Sequence, residues 1–153
     1  MTQVQVQKTT FAVTITATTE IAARPERVWQ VLSDTAAYPE WNPFVRRLDG
    51  SLELGSKISV DLQPGQKKPQ TMHPKIVDSK PGRTFTWLGH VGVPGLLDGR
   101  HTFTVEPHGD GARLIQHEVL SGVLTPLFRS MLARDTPRAF LALNDALAKR
   151  ASS

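Results

Sequence analysis

The sequence predicts an α+β domain in which an antiparallel sheet of seven strands packs against one long C-terminal helix. Short strand-like segments follow one another between residues 45 and 120, separated by Gly, Pro or Asp and not by helices. Two short helical segments precede them, and one long helical segment follows from Thr125. Strands joined by such short turns are typical of an antiparallel meander, because parallel strands need long crossover connections.

Alternation predicts the first strand, over residues 11–18. Apolar side chains there recur at every second position among Ala and Thr, which is the period of a half-buried strand rich in β-branched residues. The next segment predicts a helix, because Pro25 suits a first helical turn and Val28 and Leu32 recur at helical spacing. An amphipathic helix therefore follows the first strand.

A second short helix and the remaining strands come next. Asp34 or Thr35 can cap this helix, which we expect to run through Tyr38 and to be ended by the prolines that follow. Six further strands, each bounded by Gly, Pro or Asp, complete the predicted sheet. They cover residues 45–48, 57–62, 71–77, 84–89, 100–105 and 113–120.

The long C-terminal helix is predicted over residues 125–149. Its apolar residues near helical spacing are Phe128, Met131, Leu132, Ala139, Ala142, Leu143 and Ala146. An interior proline, Pro137, removes a backbone hydrogen bond and clashes with the carbonyl of Ala133, at a cost of about 3 kcal/mol when nothing compensates. We therefore predict a kink between Ala133 and Pro137.

Composition narrows the possible functions. The 153 residues, 39% hydrophobic and 21% charged, suit one domain over residues 1–153 with an ordered core of about 10–149. The net charge is +4, but the basic residues are dispersed in short pairs such as Arg46-Arg47 and Lys67-Lys68, so we expect no nucleic-acid partner. The chain has no cysteine, no leader pattern and no run of about 18 apolar residues, so we expect a cytoplasmic protein without stable membrane insertion.

Five phrases occur in the order found in a known superfamily. They are RPERVWQVLSDTAAYPEWNPF over residues 24–44, PGR over 81–83, FTWLG over 85–89, DGRHTF over 98–103, and the stretch from GARL at 111–114 to Gly122. On these phrases the chain resembles the SRPBCC superfamily, the START-related helix-grip proteins, and most closely its polyketide cyclase/dehydrase-like bacterial branch. The resemblance implies a helix-grip fold, in which a curved sheet wraps around the C-terminal helix and leaves an apolar pocket that needs no cofactor.

The implied pocket requires apolar walls with a few polar groups. Aromatic and thioether side chains supply large and adaptable contact areas, although each such residue could instead be ordinary core. The apolar candidates for ligand contact are Trp41, Phe44, Trp87, Phe103, Phe128, Met131 and Leu132, and the polar candidates are His101, Gln116 and Glu118.

A hairpin with its turn at residues 107–111 brings polar candidates together. The register that matches the apolar faces pairs Val105 with Leu114. His101 then lies directly opposite Glu118, as a cross-strand neighbour. The face expected to look toward the helix carries His101, Phe103, Val105, Leu114, Gln116 and Glu118, and the alternative inner face carries Ile115, His117 and Val119.

His101 and Glu118 could form a general acid–base couple in which the carboxylate holds and orients the imidazole. The pair could instead satisfy its own buried hydrogen bonds or orient the polar end of a ligand, and Gln116 is interpreted as an amide that faces the ligand. No serine stands in a G-x-S-x-G elbow, and no histidine shows a recognised metal-ligand spacing. We therefore expect neither a hydrolase triad nor a metal site.

Residues 89–99, with the sequence GHVGVPGLLDG, are predicted to form a mobile loop that acts as a gate. The glycines loosen the backbone, while the Val and Leu side chains can close over an apolar ligand. Capping of the core is the alternative. The glycine spacing matches no phosphate-binding loop.

The leading hypothesis is that the chain binds a small hydrophobic molecule in the pocket. A cyclase or dehydratase acting on a polyketide-like or aromatic substrate is one alternative, and a protein-interaction or co-chaperone-like module is another; the resemblance implies both. Enzymatic turnover would distinguish the enzyme from the binding protein. A polar, filled interior would favour the interaction module.

Overall fold

The computed structural model describes residues 2–65 and 68–153, so Met1, Gln66 and Lys67, one of the paired lysines, lie outside the described residues. Nine strands and three α-helices form within these ranges, and a short 3₁₀ turn precedes α2. In chain order they are β1 (Thr2–Lys8), β2 (Ala12–Ile21), α1 (Pro25–Ser33), α2 (Tyr38–Trp41), β3 (Val45–Asp49), β4 (Ser59–Leu62), β5 (Gln70–Met72), β6 (Lys75–Lys80), β7 (Thr84–Val91), β8 (Leu97–His108), β9 (Gly111–Ser121) and α3 (Thr125–Ala151).

Six of the strands form one antiparallel sheet in the order β1-β2-β9-β8-β7-β6, and β3, β4 and β5 form a smaller sheet. The main sheet curves around α3, and its inner face shares one cluster of buried apolar side chains with the helices and the smaller sheet. The predicted α+β helix-grip architecture is therefore confirmed.

The sequence predicts seven strands, close to the six of the main sheet, whereas the described residues hold nine in total. One addition is β1, which lies before the expected ordered core and pairs along its whole length with β2. The other arises because the expected strand over residues 71–77 is divided between the two sheets. β5 pairs with β4 and β6 pairs with β7, so the chain changes sheets at Pro74, which has no amide hydrogen to donate to a ladder.

The short helices follow the expected order. α1 begins at Pro25 and buries Val28, Val31 and Leu32. Asp34 occupies the cap position of the 3₁₀ turn, but its side chain makes no capping hydrogen bond. α2 then carries the chain as far as Trp41.

α3 continues through Pro137 and ends at Ala151, slightly beyond the expected end; the kink stays a prediction. Its second half buries Phe140, Leu143 and Leu147, whereas Ala142, expected on the apolar face, is exposed. Its first half is only partly covered by the rest of the protein. None of the helices in the described ranges combines the length and apolar character that crossing a membrane requires.

Candidate functional site

A cavity of about 310 Å³ lies between the main sheet, the smaller sheet and the first half of α3, and it is partly open to solvent. Its walls are mostly apolar. The lining residues are Phe44, Val60, Leu62, Pro64, Gln70, Met72, Pro74, Trp87, Gly89, Val91, Leu97, Asp98, Gly99, Glu118, Leu120, Phe128, Met131, Leu132 and Thr136.

Two glycines on the inner face of the sheet make room for this cavity. Gly89 on β7 and Gly99 on β8 are direct cross-strand partners, and both border the cavity. Neither adopts a positive φ, so the backbone conformation does not require glycine at these positions. A Cβ atom at Gly89 would meet Met72 Cε and the Cβ of Pro74 at 3.4 Å, which is ordinary contact. The missing side chains therefore leave space where the sheet would otherwise pack.

Six of the ten predicted ligand contacts line the cavity. They are Phe44, Trp87, Glu118, Phe128, Met131 and Leu132. The smaller sheet adds Val60, Leu62 and Met72, which the sequence analysis missed. Their strands look like ordinary sheet segments in the sequence, and no local pattern shows that they fold over the mouth of a pocket.

The other four predicted contacts, Trp41, His101, Phe103 and Gln116, do not border the cavity. Trp41 packs edge-on against Tyr38, with ring centroids 5.4 Å apart. The Phe103 ring lies between those of Phe85 and His101, at 4.9 and 4.3 Å. The sequence places His101, Phe103 and Gln116 on the inner face of the hairpin, which is correct, but it does not show which part of that face is filled.

His101 and Gln116 instead belong to a buried chain of hydrogen bonds. His101 Nε2 lies 3.0 Å from Gln116 Oε1. Gln116 Nε2 donates to the carbonyl oxygen of Phe140 at 3.0 Å and to Asn144 Oδ1 at 2.8 Å. Asn144 Nδ2 in turn donates to Thr19 Oγ1 at 3.1 Å. The chain ties β8 and β9 to α3 and β2 through polar groups that water does not reach.

The predicted hairpin register is confirmed, with His101 directly opposite Glu118. The two side chains are 1% and 11% exposed, and His101 Nδ1 lies 3.3 Å from Glu118 Oε2. The His101 ring stacks on Phe103 and lies 4.7 Å from the Phe140 ring, so it has little freedom to turn. Only Glu118 of this pair reaches the cavity.

The hydrogen-bond chain orients the His101 ring. Because the Gln116 amide nitrogen already donates to two acceptors, its oxygen faces His101, and Nε2 carries the hydrogen that joins them. His101 Nδ1 then lies toward Glu118 Oε2, a contact that is an ion pair when the imidazole is protonated.

A second histidine–carboxylate pair joins β7 and β8 on the outer face of the main sheet, because His90 and Asp98 alternate with the inward Gly89 and Gly99. His90 Nδ1 lies 2.6 Å from Asp98 Oδ1, and the side chains are 32% and 23% exposed. The Gly95 amide donates to both oxygens of Asp98 at 3.1 Å. The hydrogen bond with His90, assisted by the Gly95 amide, holds the pKa of Asp98 below its usual range.

The expected loop over residues 89–99 is wrong in extent. Residues 89–91 belong to β7 and residues 97–99 to β8, which leaves a tip of only residues 92–96. The two strands stay paired as far as Val91 and Leu97, so His90 is a strand residue and not a loop residue. Backbone hydrogen bonds from the segment before α3 hold this tip, at 3.0 and 2.9 Å to the carbonyl oxygens of Gly95 and Leu96. A gate function for the tip stays a prediction.

The described residues contain no group of three or more His, Asp or Glu side chains arranged to hold a metal ion. The ionisable side chain that the sheet turns toward the cavity is that of Glu118, which His101 supports. Such a group can accept hydrogen bonds or exchange protons with a bound molecule.

Residues 12–152 match the family model described as polyketide cyclase / dehydrase and lipid transport. No curated protein sequence matches the chain. Among solved structures, the chain is similar to the di-domain ARO/CYC StfQ from the steffimycin biosynthetic pathway, with 15% identity and a TM-score of 0.75 over 93% of this chain and 52% of that chain. It therefore spans about half the length of StfQ.

Two further solved structures match over nearly their whole length. The Zhui aromatase/cyclase from Streptomyces sp. R1128 has 18% identity and a TM-score of 0.73, over 92% of this chain and 94% of that chain. A START superfamily protein from Mycobacterium smegmatis has 20% identity and a TM-score of 0.70, over 91% of this chain and 97% of that chain. At these identities the similarity shows a shared fold, that of the START/SRPBCC superfamily.

Proposed function

Because the chain belongs to the polyketide cyclase/dehydrase and lipid transport family of the START/SRPBCC superfamily, we propose that it binds a small hydrophobic molecule in the cavity between the sheet and α3. The cavity volume of about 310 Å³ lies at the lower end of the range typical of small-molecule sites. The ligand would be correspondingly small.

The observation that carries this proposal is the half-buried apolar wall that α3 presents to the cavity. Phe128, Met131 and Leu132 face an open space, while Phe44 and Trp87 behind it are almost fully buried. A ligand that fills the space removes the remaining apolar area from water, at about 25 cal/mol per Å². The buried aromatic rings are held by their neighbours, so they lose little freedom on binding.

Titration with the neutral dye N-phenyl-1-naphthylamine tests the proposal. We expect saturable fluorescence enhancement, which Gly89→Leu should abolish or weaken by about tenfold because the leucine side chain occupies the cavity. Arg100→Leu is the matched control, since it adds the same side chain to the exposed, outer side of β8. Equal dye binding by Gly89→Leu and the natural sequence would refute binding in this cavity. Native mass spectrometry of the purified protein would show a ligand that is retained.

A second candidate function is a cyclase or dehydratase acting on a polyketide-like or aromatic substrate, which the family description supports. The specific observation in its favour is the contact between His101 and Glu118, since His101 Nδ1 lies 3.3 Å from Glu118 Oε2 and Glu118 borders the cavity. Glu118 would be the catalytic residue that exchanges a proton with the substrate, and His101, which does not reach the cavity, would position the Glu118 carboxyl group.

Glu118→Gln tests this second candidate, because the amide keeps the shape of the carboxylate but cannot transfer a proton. In an assay with a polyketide-like substrate, the rate should fall by about 10²–10⁴-fold while binding persists. His101→Gln should reduce the rate and change its pH profile. Glu106→Gln is the control, since Glu106 pairs with Arg113 away from the cavity. Absence of turnover by the natural sequence with all such substrates would favour the binding function over the enzyme.

The interaction module is the least supported of the three, because the described residues surround an apolar cavity and not a filled polar interior. A protein partner could still act together with ligand binding. The cytoplasm is the compartment that we propose, on the composition of the sequence alone.

A further inference from the structure

We propose that the cavity selects a molecule that presents a hydrogen-bond donor, a hydroxyl or an ammonium group, to Glu118, and that it excludes molecules whose polar end is a carboxylate. This inference rests on the proposed binding function and adds the chemical class of the ligand.

Glu118 offers hydrogen-bond acceptors to the cavity. Its Oε2, which lies 3.3 Å from His101 Nδ1, is also the oxygen nearest the open space beside Gly99. A carboxylate oxygen has more than one lone pair, so Oε2 can accept from a ligand as well as from His101, and only a donor complements it.

The cavity wall offers no positive charge to a ligand. Asp98 is the other ionisable residue that borders the cavity, but it alternates with the inward Gly99 along β8, so its carboxylate lies on the outer face of the sheet with His90. Among the described residues no Lys, Arg or His borders the cavity, although the net charge of the chain is +4. A carboxylate ligand would lose its water shell without gaining an opposite charge, which is strongly unfavourable.

The space in front of Glu118 is open because Gly99 has no side chain. A Cβ atom at this position would lie 3.4 Å from Glu118 Oε2 and 3.5 Å from Leu120 Cδ2. A ligand atom can therefore occupy the position that a side chain would take, within reach of the carboxyl group. The apolar part of the ligand would then lie against Phe128, Met131 and Leu132 of α3.

Four probes with one ring system separate the effect of a hydrogen-bond donor from the effect of charge. They are naphthalene, 2-naphthol, 2-naphthylmethylammonium and 2-naphthoate, and the affinity of each is measured by displacement of N-phenyl-1-naphthylamine near neutral pH. We expect 2-naphthol and the ammonium to bind at least about tenfold more tightly than 2-naphthoate, with naphthalene between them. Tighter binding of the ammonium than of 2-naphthol would identify charge as the larger contribution, and equal binding would identify the hydrogen bond.

Glu118→Gln supplies the decisive variant. Its amide can donate to His101 Nδ1 and leave a carbonyl oxygen toward the cavity, so the fold and the affinity for 2-naphthol should persist, the latter within about threefold. The preference for the ammonium over 2-naphthoate should fall by about tenfold, because the charge is gone. Glu106→Gln should leave the order of affinities unchanged, since Glu106 lies outside the cavity.

Two results would overturn the inference without affecting the proposed function. One is 2-naphthoate binding as tightly as 2-naphthol, and the other is an ammonium preference that Glu118→Gln does not reduce. Failure of both naphthalene and the dye to bind would reject the proposed function itself, and the ligand class with it.

Discussion

The main sheet has a packed end and an open end, and each end carries one pair of the same residue types, on opposite faces of the sheet. At the packed end, around His101, Gln116 and Phe140, the histidine–carboxylate pair is 1% and 11% exposed. At the open end, around Gly89 and the tip at residues 92–96, His90 and Asp98 are 32% and 23% exposed. Both pairs join neighbouring strands of the main sheet, so their difference comes from what covers them.

The comparison teaches that burial, and not residue type, determines what such a pair can do. At the packed end, aromatic neighbours and Gln116 hold the His101 ring in one orientation. Every polar group of this buried network needs a hydrogen-bond partner. At the open end water screens the attraction, and the pair contributes little to global stability. Asp98 there mainly ties the Gly95 amide to the strand.

The largest expected difference between the ends comes from their phenylalanines. Phe140→Ala should lower the free energy of unfolding by about 3–5 kcal/mol, because its buried ring contacts those of His101 and Phe44. Phe128→Ala should cost about 1 kcal/mol or less, since that ring is half-buried and faces the cavity. Urea unfolding of both variants measures this. Similar losses would mean that the open end is packed like the core.

Removing one hydrogen-bonding side chain at each end should give the next largest difference. Gln116→Leu leaves His101 Nε2, the Phe140 carbonyl oxygen and Asn144 Oδ1 without their buried partner, and we expect a loss of roughly 2–5 kcal/mol. His90→Asn, the matched change at the open end, should cost less than about 1 kcal/mol. Thermal and urea unfolding measure both losses. A loss of stability from His90→Asn as large as that from Gln116→Leu would contradict the difference between the two ends.

Hydrogen exchange should distinguish the ends without any substitution. Amides of residues 92–96 should exchange at least about tenfold faster than those in the centre of β8 and β9, and the dye should slow them if the tip closes over a ligand. This measurement tests the predicted gate. Protection equal to that of the central strands, and unchanged by the dye, would leave the tip as a cap on the core.

The smallest expected effect is a pH dependence confined to the open end. The depressed pKa of Asp98 means that its contact with the Gly95 amide stabilises the tip above the ordinary value of 3.8, and that this stabilisation is lost as the pH falls through the lower folded-state pKa. The protection factor of the Gly95 amide should fall in that range. Asp98→Asn should remove this pH dependence. An unchanged pH profile in that variant would show that another group causes it.

Asp61 provides an internal reference for the acid titration. Its hydrogen bonds with Arg47 and Thr71 lower its pKa from 3.8 to about 2, and it lies in the smaller sheet. The stabilisation from this contact is therefore lost at a lower pH than an ordinary carboxyl group would show, as the pH falls through about 2. A single transition at both sites would indicate global acid unfolding and not local loosening of the tip.

Local patterns in the sequence were sufficient for most of the elements and for one long-range feature. Proline and apolar spacing placed the start of α1 at Pro25, and alternation on both arms of the β8–β9 hairpin placed His101 opposite Glu118. Matching of the apolar faces works there because a shift by one residue would turn every side chain to the other side of the sheet. The tight turn then leaves only one register with the apolar side inward.

Local sequence patterns do not predict features that depend on contacts between distant segments. The glycine spacing predicts a flexible loop at Gly89 and Gly99, but these glycines are paired strand residues that leave space for the cavity. Phe140 and Asn144, which hold the packed end, were missed because helical spacing alone does not show which residues meet Gln116. Trp41 and Phe103 are aromatic residues of the kind that lines pockets, yet their side chains pack in the core.

The periodicity of the sequence by itself therefore determined the α+β class, the order of the main elements and the face of the sheet on which the polar candidates lie, because local periodicity encodes which side of an element is buried. The helix-grip fold followed from the resemblance to the superfamily. Only the tertiary structure decided which part of that face stays unfilled and which of two similar histidine–carboxylate pairs is sealed from water. The physical reason is that a cavity, or the burial of a charge, depends on how side chains from β2, β4, β7, β8, β9 and α3 pack together. No single segment of the sequence contains that information.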